Sequence, residues 1–386
     1  MNVRDRIARR RRQNTAGSGI LVDPIAIAPI THPDEPVGRG PTIELLLDAL
    51  DAVFDDEVPG PAAVVGPPGS GKTAIVRSLF ANLEGVLGRR GQAIGTTTRA
   101  STPLNVRFVV VDGRHADSEF QAYRRILAGL TDEPVPEGGV STDALHDRLL
   151  ERVERHDAVL VAVDHVDEPG TLDAGVVASL ADDAGIVPWY VTREPLDARQ
   201  LAPGRPPATT VRFDAYRTHT IVEIVTERAS RGLAPNALDH GNARTIARYA
   251  DGNAHDALAL LYEAAKRAND VDADRVHGHH VEGAVTAFPG DTVSVARALA
   301  EPRNHQRVLA ALVALEDDSP TLPDAAEAIA ARTDLTESTV TRFLYELANA
   351  GLLARTPDEE TSSTVTPRFP PGLFAALHTD AEATDS

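Results

Sequence analysis

The chain has 386 residues, room for two or three domains with cores of their own. It contains no cysteine, which excludes disulfides, thiolate metal sites and a cysteine nucleophile. Its net charge is −19, and Lys72 and Lys266 are its only lysines. Such an acidic, arginine-based surface suits a salt-adapted protein and bears on solubility and non-specific binding rather than on fold.

No run approaches the ~20 apolar residues of a membrane span, and no apolar core follows the charged start, so a cytoplasmic location is expected. Residues 1–12 hold six arginines against the single acid Asp5, which reads either as an arm on nucleic-acid phosphates or as a solvated tail. Pro, Gly and small residues over 13–35 read as a linker, so 1–35 is taken as arm plus linker.

Gly66-Pro67-Pro68-Gly69-Ser70-Gly71-Lys72-Thr73 fits the phosphate-loop pattern at every fixed position. The apolar Ala62–Val65 before it reads as a buried strand, and the stretch from Ala74 to Phe80 as a helix. In that setting backbone N–H groups curl round a phosphate at the helix's positive end. Lys72 reaches the β- and γ-phosphates and the Thr73 hydroxyl holds Mg²⁺. The ligand expected is therefore ATP or ADP with Mg²⁺.

Further strands are expected at Val106–Val111, Ala158–Asp164, Ile186–Thr192 and Thr209–Phe213. Helices at Ser118–Leu130 and Asp143–Arg155 lie between them. Alternation of this kind gives a parallel, doubly wound sheet. Asp164, ending an apolar strand downstream of the phosphate loop, is a second candidate Mg²⁺ ligand.

From Tyr216 the pattern is helical only, reading as a small bundle over 216–288. A third unit over 292–377 contains Leu322–Ala331, a short turn and a second helix from Thr336 to Ala350, capped by the Thr336 hydroxyl and stopped by Gly351. Leu352–Arg355 and Thr364–Arg368 then form a hairpin. Helix-turn-helix plus hairpin is a winged helix, a DNA-reading module, and 378–386 is an acidic tail. From Glu301 onward there are 15 acidic residues and only 6 arginines. The recognition helix carries Arg342 alone, with Arg355 and Arg368 bracketing the wing, so a protein-contact role for this module stands beside DNA binding.

In its order of motifs the chain resembles the archaeal origin-recognition and cell-division-control replication initiators, a family of AAA+ ATPases. The motifs are Val37-Gly38-Arg39, the phosphate loop, Asp164, Phe213-Asp214-Ala215-Tyr216 and Asp251 to Leu258, followed by the winged helix. The resemblance implies an AAA+ core over 36–215, a helical lid over 216–288 and a DNA-binding winged helix. It adds Val37, Ala74 and Tyr216 to the nucleotide site, and Arg124 and Arg125, on an extra helix of the core, to the DNA contacts. A replicative helicase or related initiators are the implied protein partners.

Three hydrolysis positions depart from the family. His165 stands where a glutamate polarises water, and Glu168, four residues past Asp164, is expected to point elsewhere. Thr192 or Arg193 replaces a sensor asparagine, and His255 replaces a lid arginine. Nucleotide binding with slow or absent hydrolysis is therefore expected, His165, Arg193 and His255 being the altered catalytic positions, with His165 as substitute base the rival reading. The alternative function is a nucleotide switch in transcription or signalling, or a non-catalytic partner of active initiators. Arg199 and Arg205 are candidates for a finger acting on a neighbour's nucleotide. His277, His279 and His280 lack a complete metal-ligand pattern.

Overall fold

The computed structural model describes residues 19–33, 35–93, 104–116, 118–168, 171–197, 201, 206–289, 292–315, 317, 319–357 and 363–385. The arginine-rich start, Arg199, Arg205 and the tip of the wing lie outside these. Two compact units emerge, one from His32 to Ala215 and the other from the described residues up to Thr31 together with Tyr216–Ser386.

The first unit is a five-stranded parallel sheet of β1 (Ala62–Val65), β2 (Val106–Asp112), β3 (Ala158–Asp164), β4 (Ile186–Thr192) and β5 (Thr209–Arg212), in the order β2-β3-β4-β1-β5. Its helices are α1 (Gly40–Asp48), α2 (Asp51–Phe54), α3 (Lys72–Ala93), α4 (Glu119–Leu130), α5 (Thr142–Val153) and α6 (Ala174–Ala184). β3 and β4 are buried along their whole length, as strands covered on both faces must be. The two faces have separate cores. Phe80 packs against Phe108 and edge to face with Trp189 in one, while Tyr123, Ile126, Leu145 and Leu149 fill the other. β1 lies between β4 and β5, so the chain order reverses beside it. The carboxyl edge at such a reversal is where α/β sheets bind ligands.

The second unit holds a lid of α7 (Thr218–Gly232), α8 (His240–Tyr249), α9 (Ala254–Asp270) and α10 (Gly278–Thr286). After it come α11 (Val295–Ala300), α12 (Arg303–Val313), α13 (Leu322–Ala330), α14 (Glu337–Asn349), β6 (Leu353–Pro357), β7 (Ser363–Pro367) and α15 (Pro371–Asp385). β6 and β7 pair antiparallel, completing a winged helix with the hairpin expected from the sequence. The Thr336 hydroxyl accepts the Thr339 N–H at 3.3 Å and caps α14. α15 runs on to Asp385, through the stretch read as a tail.

Residues 19–31 do not behave as the linker their composition indicates. They form a helical turn at Pro24–Ile27 whose Ile27 and Ala28 are fully buried in the core of the second unit, along with Ile20. Arg228, itself buried, fastens them by donating to the carbonyls of Ala28 (2.5 Å) and Thr31 (2.8 Å). Burial of apolar side chains at ~1.5–3 kcal/mol each outweighs the flexibility that small residues and proline confer. Among the described residues no helix is long and apolar enough to cross a membrane.

His305 on α12 bridges Glu301 (2.8 Å) and Glu346 of α14 (3.1 Å), with its ring edge-on to Phe343. The Glu301 hydrogen bond, reinforced by Glu346 against the effect of burial, holds the His305 pKa above its ordinary 6.5. The folded state thus binds this proton more tightly than the unfolded chain. That stabilisation is complete below about pH 6.5 and disappears as pH rises through the raised folded value. Melting temperature measured between pH 5.5 and 8.5 is expected to fall across that window, and His305→Gln to flatten the fall.

Candidate nucleotide site

β1 delivers the phosphate loop and α3 carries it away. Gly69 and Gly71 sit at φ of +65° and +88°, backbone open to glycine and costly for other residues. A Cβ on Gly66 would collide with the carbonyl oxygen of Phe213, so the loop needs glycine there for close approach as well. Lys72 donates to the carbonyls of Gly66 (2.6 Å) and Pro67 (2.9 Å). Burial pushes its ammonium down to about 8, although Asp164 nearby opposes the change. The Thr73 hydroxyl bonds the Asp164 carboxylate. Arg39, in the Val37-Gly38-Arg39 box, braces the loop from below by donating to the Ser70 carbonyl (3.1 and 2.8 Å) and to that of Asp214 (2.6 Å). Val37 itself is half-buried beside it.

Strand register assembles the rest. Asp112 at the end of β2 lies opposite Asp164 at the end of β3. Burial works to raise the Asp112 carboxyl, but the bidentate Arg114 (2.9 and 2.7 Å) holds it well below the carboxylate range. His165 follows Asp164 at φ +62°, its N–H donating to Asp164 Oδ1 at 2.9 Å and its Nε2 3.5 Å from Oδ2.

Glu168 is the main correction to the sequence reading. It does not point away. Its N–H donates to the His165 carbonyl (3.1 Å), closing a turn that brings its carboxylate to His165 Nδ1 (3.1 Å) and to the Arg193 guanidinium. Burial alone would raise this carboxyl, but the His165 hydrogen bond and the charges of His165, Arg193 and Arg114 hold it at about 2. The left-handed residue at 165 that permits the turn leaves no mark in a motif pattern. The one available signal was the nearness of Asp167 and Glu168 to a strand-end aspartate.

Of the two sensor candidates, Thr192 ends β4 and its carbonyl accepts the Gly66 N–H at 3.2 Å. Its hydroxyl is buried with no hydrogen-bond partner among the described residues, as is that of Ser70. Arg193 turns to Glu168, and its backbone N–H donates to Asp167 Oδ2 at 2.7 Å. Ala74 follows Thr73 in the first turn of α3.

His255 and Tyr216 belong to the other unit. The His255 N–H is capped by Asn253 Oδ1 at 2.9 Å at the start of α9. Tyr216 is buried and its N–H donates to the Gly252 carbonyl. His277, His279 and His280 stack at the start of α10, where His280 Nδ1 accepts the His277 N–H.

The candidate DNA contacts are dispersed. Arg124 on α4 pairs with Glu137 (2.7 Å), and Arg125 donates to the His115 carbonyl (2.7 Å). On the winged helix Arg342 lies over the Phe343 ring with Glu346 at 3.6 Å, and Arg355 stacks on the exposed Tyr345 at 4.7 Å. Arg368 is turned inward, donating to the Gly351 carbonyl at 3.2 Å.

The glycine cradle, the unpartnered hydroxyls of Ser70 and Thr192, and the oxygen donors Thr73 and Asp164 fit a polyphosphate with a hard divalent cation. Comparison with known proteins agrees. Residues 35–191 match the model of the AAA ATPase domain and 222–286 that of the Cdc6 AAA+ ATPase-type lid domain. Residues 306–357 match the IclR helix-turn-helix domain. The chain thus carries an AAA ATPase domain and a Cdc6-type lid and is similar to the archaeal ORC1-type replication proteins.

ORC1-type DNA replication protein 1 of Aeropyrum pernix is 26% identical over 302 residues, 74% of this chain and 73% of that protein. ORC1-type DNA replication protein 10 of Halobacterium salinarum is 24% identical over 366 residues, 87% and 85% of the two chains. The solved structure of the Aeropyrum pernix ORC1 protein in complex with DNA shares the fold at a TM-score of 0.61 and 20% identity, covering 95% of this chain and 98% of that one. Cdc6p from Pyrobaculum aerophilum superposes at 0.54, with 94% and 98% covered. These matches accord with the AAA+ core, lid and winged helix expected from the motifs.

A charged hydrogen bond contributes ~1.5–3 kcal/mol. Lys72→Ala is therefore expected to lower affinity for a fluorescent ATP analogue by about 10- to 100-fold, read by equilibrium titration.

Proposed function

We propose that this ORC1/Cdc6-family chain is an initiator-type switch. On this reading it binds ATP or ADP with Mg²⁺ on the AAA+ core, grips origin duplex DNA with the winged helix, and hydrolyses ATP slowly. The observation that carries the nucleotide part is the Thr73–Asp164 hydrogen bond beneath an intact glycine cradle. Thr73 and Asp164 would hold Mg²⁺, which supplies charge neutralisation on the phosphates. Lys72 and the loop N–H groups bind and orient the triphosphate, and Arg39 keeps the loop in that shape. His165 occupies the position beside Asp164 where the family carries a water-polarising glutamate. A missing group of that kind costs on the order of 10²–10³ in rate. Steady-state phosphate release is expected to lie that far below an active family member assayed alongside; equal turnover would refute slow hydrolysis.

The exposed side of α14 and the wing supports the DNA part. Ser338, Thr341, Arg342 and Tyr345 line the helix, and Arg355 reaches over from β6. The Aeropyrum pernix ORC1 protein, solved in complex with DNA, has the same fold. Duplex DNA, a replicative helicase and related initiators are the partners this reading implies, with the cytoplasm as its location. Replacing Arg342 and Arg355 by Ala is expected to reduce the salt dependence of duplex binding by about two in log–log slope. Unchanged affinity would turn the module into a protein-contact domain, and binding to promoters in place of origin repeats would favour the regulatory switch.

A further inference from the structure

We propose that Glu168 is the water-orienting carboxylate of this site and that Arg193 holds it in reserve, making slow turnover a latched state of a complete centre. The inference rests on the nucleotide-binding reading.

Four observations lead there. First, the Glu168 side chain is 2% exposed and is held by His165 and Arg193. A buried acid costs several kcal/mol unless paired, so Glu168 stays ionised there only through these partners. Second, the left-handed His165 and the Glu168 N–H to His165 carbonyl bond fold the chain back, and His165 Nε2 lies 3.5 Å from the Asp164 carboxylate. Glu168 is thus one imidazole away from the proposed Mg²⁺ ligand. Third, Asp164, Asp167, Arg193 and Glu168 all act electrostatically on Lys72, which places the group on the phosphate side of the sheet edge. Fourth, the Arg193 side chain is 43% exposed while its backbone is fixed through Asp167. The guanidinium can leave Glu168 without moving the strand.

With the latch open, Glu168 orients a water whose oxygen attacks the γ-phosphorus of ATP. The bond from that phosphorus to the bridging oxygen breaks, its electron pair leaving with ADP, and the water proton passes to the Glu168 carboxylate. With the latch closed, Arg193 and His165 both hold Oε1 and draw on the carboxylate's charge, which makes it a poorer base for the water, and turnover is slow.

The test uses the full chain and the variants Arg193→Ala, Glu168→Gln and the double substitution. Single-turnover phosphate release should rise at least about 10-fold in Arg193→Ala, within the range a positioned acid–base group supplies. It should fall to the wild-type rate or below in the double variant. Melting of the nucleotide-free protein gives an independent readout. Arg193→Ala should lower the melting temperature, and adding Glu168→Gln should restore it by removing the buried charge. Release from Arg193→Ala no faster than wild type, with nucleotide affinity intact, overturns the latch. So does a double variant as fast as Arg193→Ala. Absence of nucleotide binding in the wild type would instead overturn the reading beneath the proposal, and the latch with it.

Discussion

Charge buried at the carboxyl edge of the five-stranded sheet is the constraint on which the nucleotide site depends. Three carboxylates, Asp112, Asp164 and Glu168, crowd the ends of β2 and β3, and each requires a partner of its own. Arg114 takes Asp112; the Thr73 hydroxyl and the His165 N–H take Asp164; His165 and Arg193 take Glu168. Strand register sets Asp112 against Asp164, and the wholly buried β3 and β4 keep water from the strands that present these groups. In such surroundings a paired charge is held firmly and an unpaired one is costly. The phosphate loop inherits this order, because its threonine is one of the partners and its lysine feels the same charges.

The second unit is organised by α9. That helix buries Ala257, Ala259, Ala264, Ala265 and Ala268 together with Leu260, Leu261 and Tyr262, so it is apolar on nearly every side. A helix of this kind belongs at the centre of a core, and small residues let neighbours approach closely. Lid helices pack on it, and so does α15 of the winged helix. Glu263 makes that joint polar. Its carboxylate, pushed upward by burial, accepts the N–H of Leu373 in the first turn of α15, and a Cβ on Gly372 would stand 2.8 Å from its Oε1. Lid and winged helix share one continuous apolar cluster, and residues 19–31 close it through Ile20, Ile27 and Ala28. In this unit the winged helix is therefore not a bead on a flexible string but an extension of the lid.

What was legible in the sequence was local. The phosphate loop needs fixed residue types at fixed spacing. Asp164 ends a run of apolar residues long enough to be only a buried strand. Thr336 and Gly351 bound α14 by chemistry that acts within four residues. The features that escaped depend on contacts across long sequence separations or on one backbone angle. Composition read residues 19–31 as part of a linker, yet Arg228, some 200 positions away, supplies the donors that fix them. Glu168 escaped because a strand-end carboxylate four residues on points outward unless the chain reverses, and the reversal at His165 uses a conformation histidine seldom adopts. Arg193 took its meaning only when that carboxylate arrived beside it.

So acidic a chain would hold DNA through few cations. Affinity drawn from counterion release weakens steeply with salt, and the winged helix offers few cations to supply it. Two of its exposed arginines are instead stacked, Arg342 on Phe343 and Arg355 on Tyr345. A guanidinium held against a ring is planar, weakly hydrated and already oriented, so less side-chain freedom is lost when it meets a phosphate or a guanine edge. Lysine, a strongly hydrated point charge, gains little from such stacking, and none occurs in this domain. Preorganised contacts of this sort give more affinity per cation than mobile charges do. An acidic surface and a DNA-binding module are thus compatible in one chain when the few cations at the interface are arginines fixed in advance.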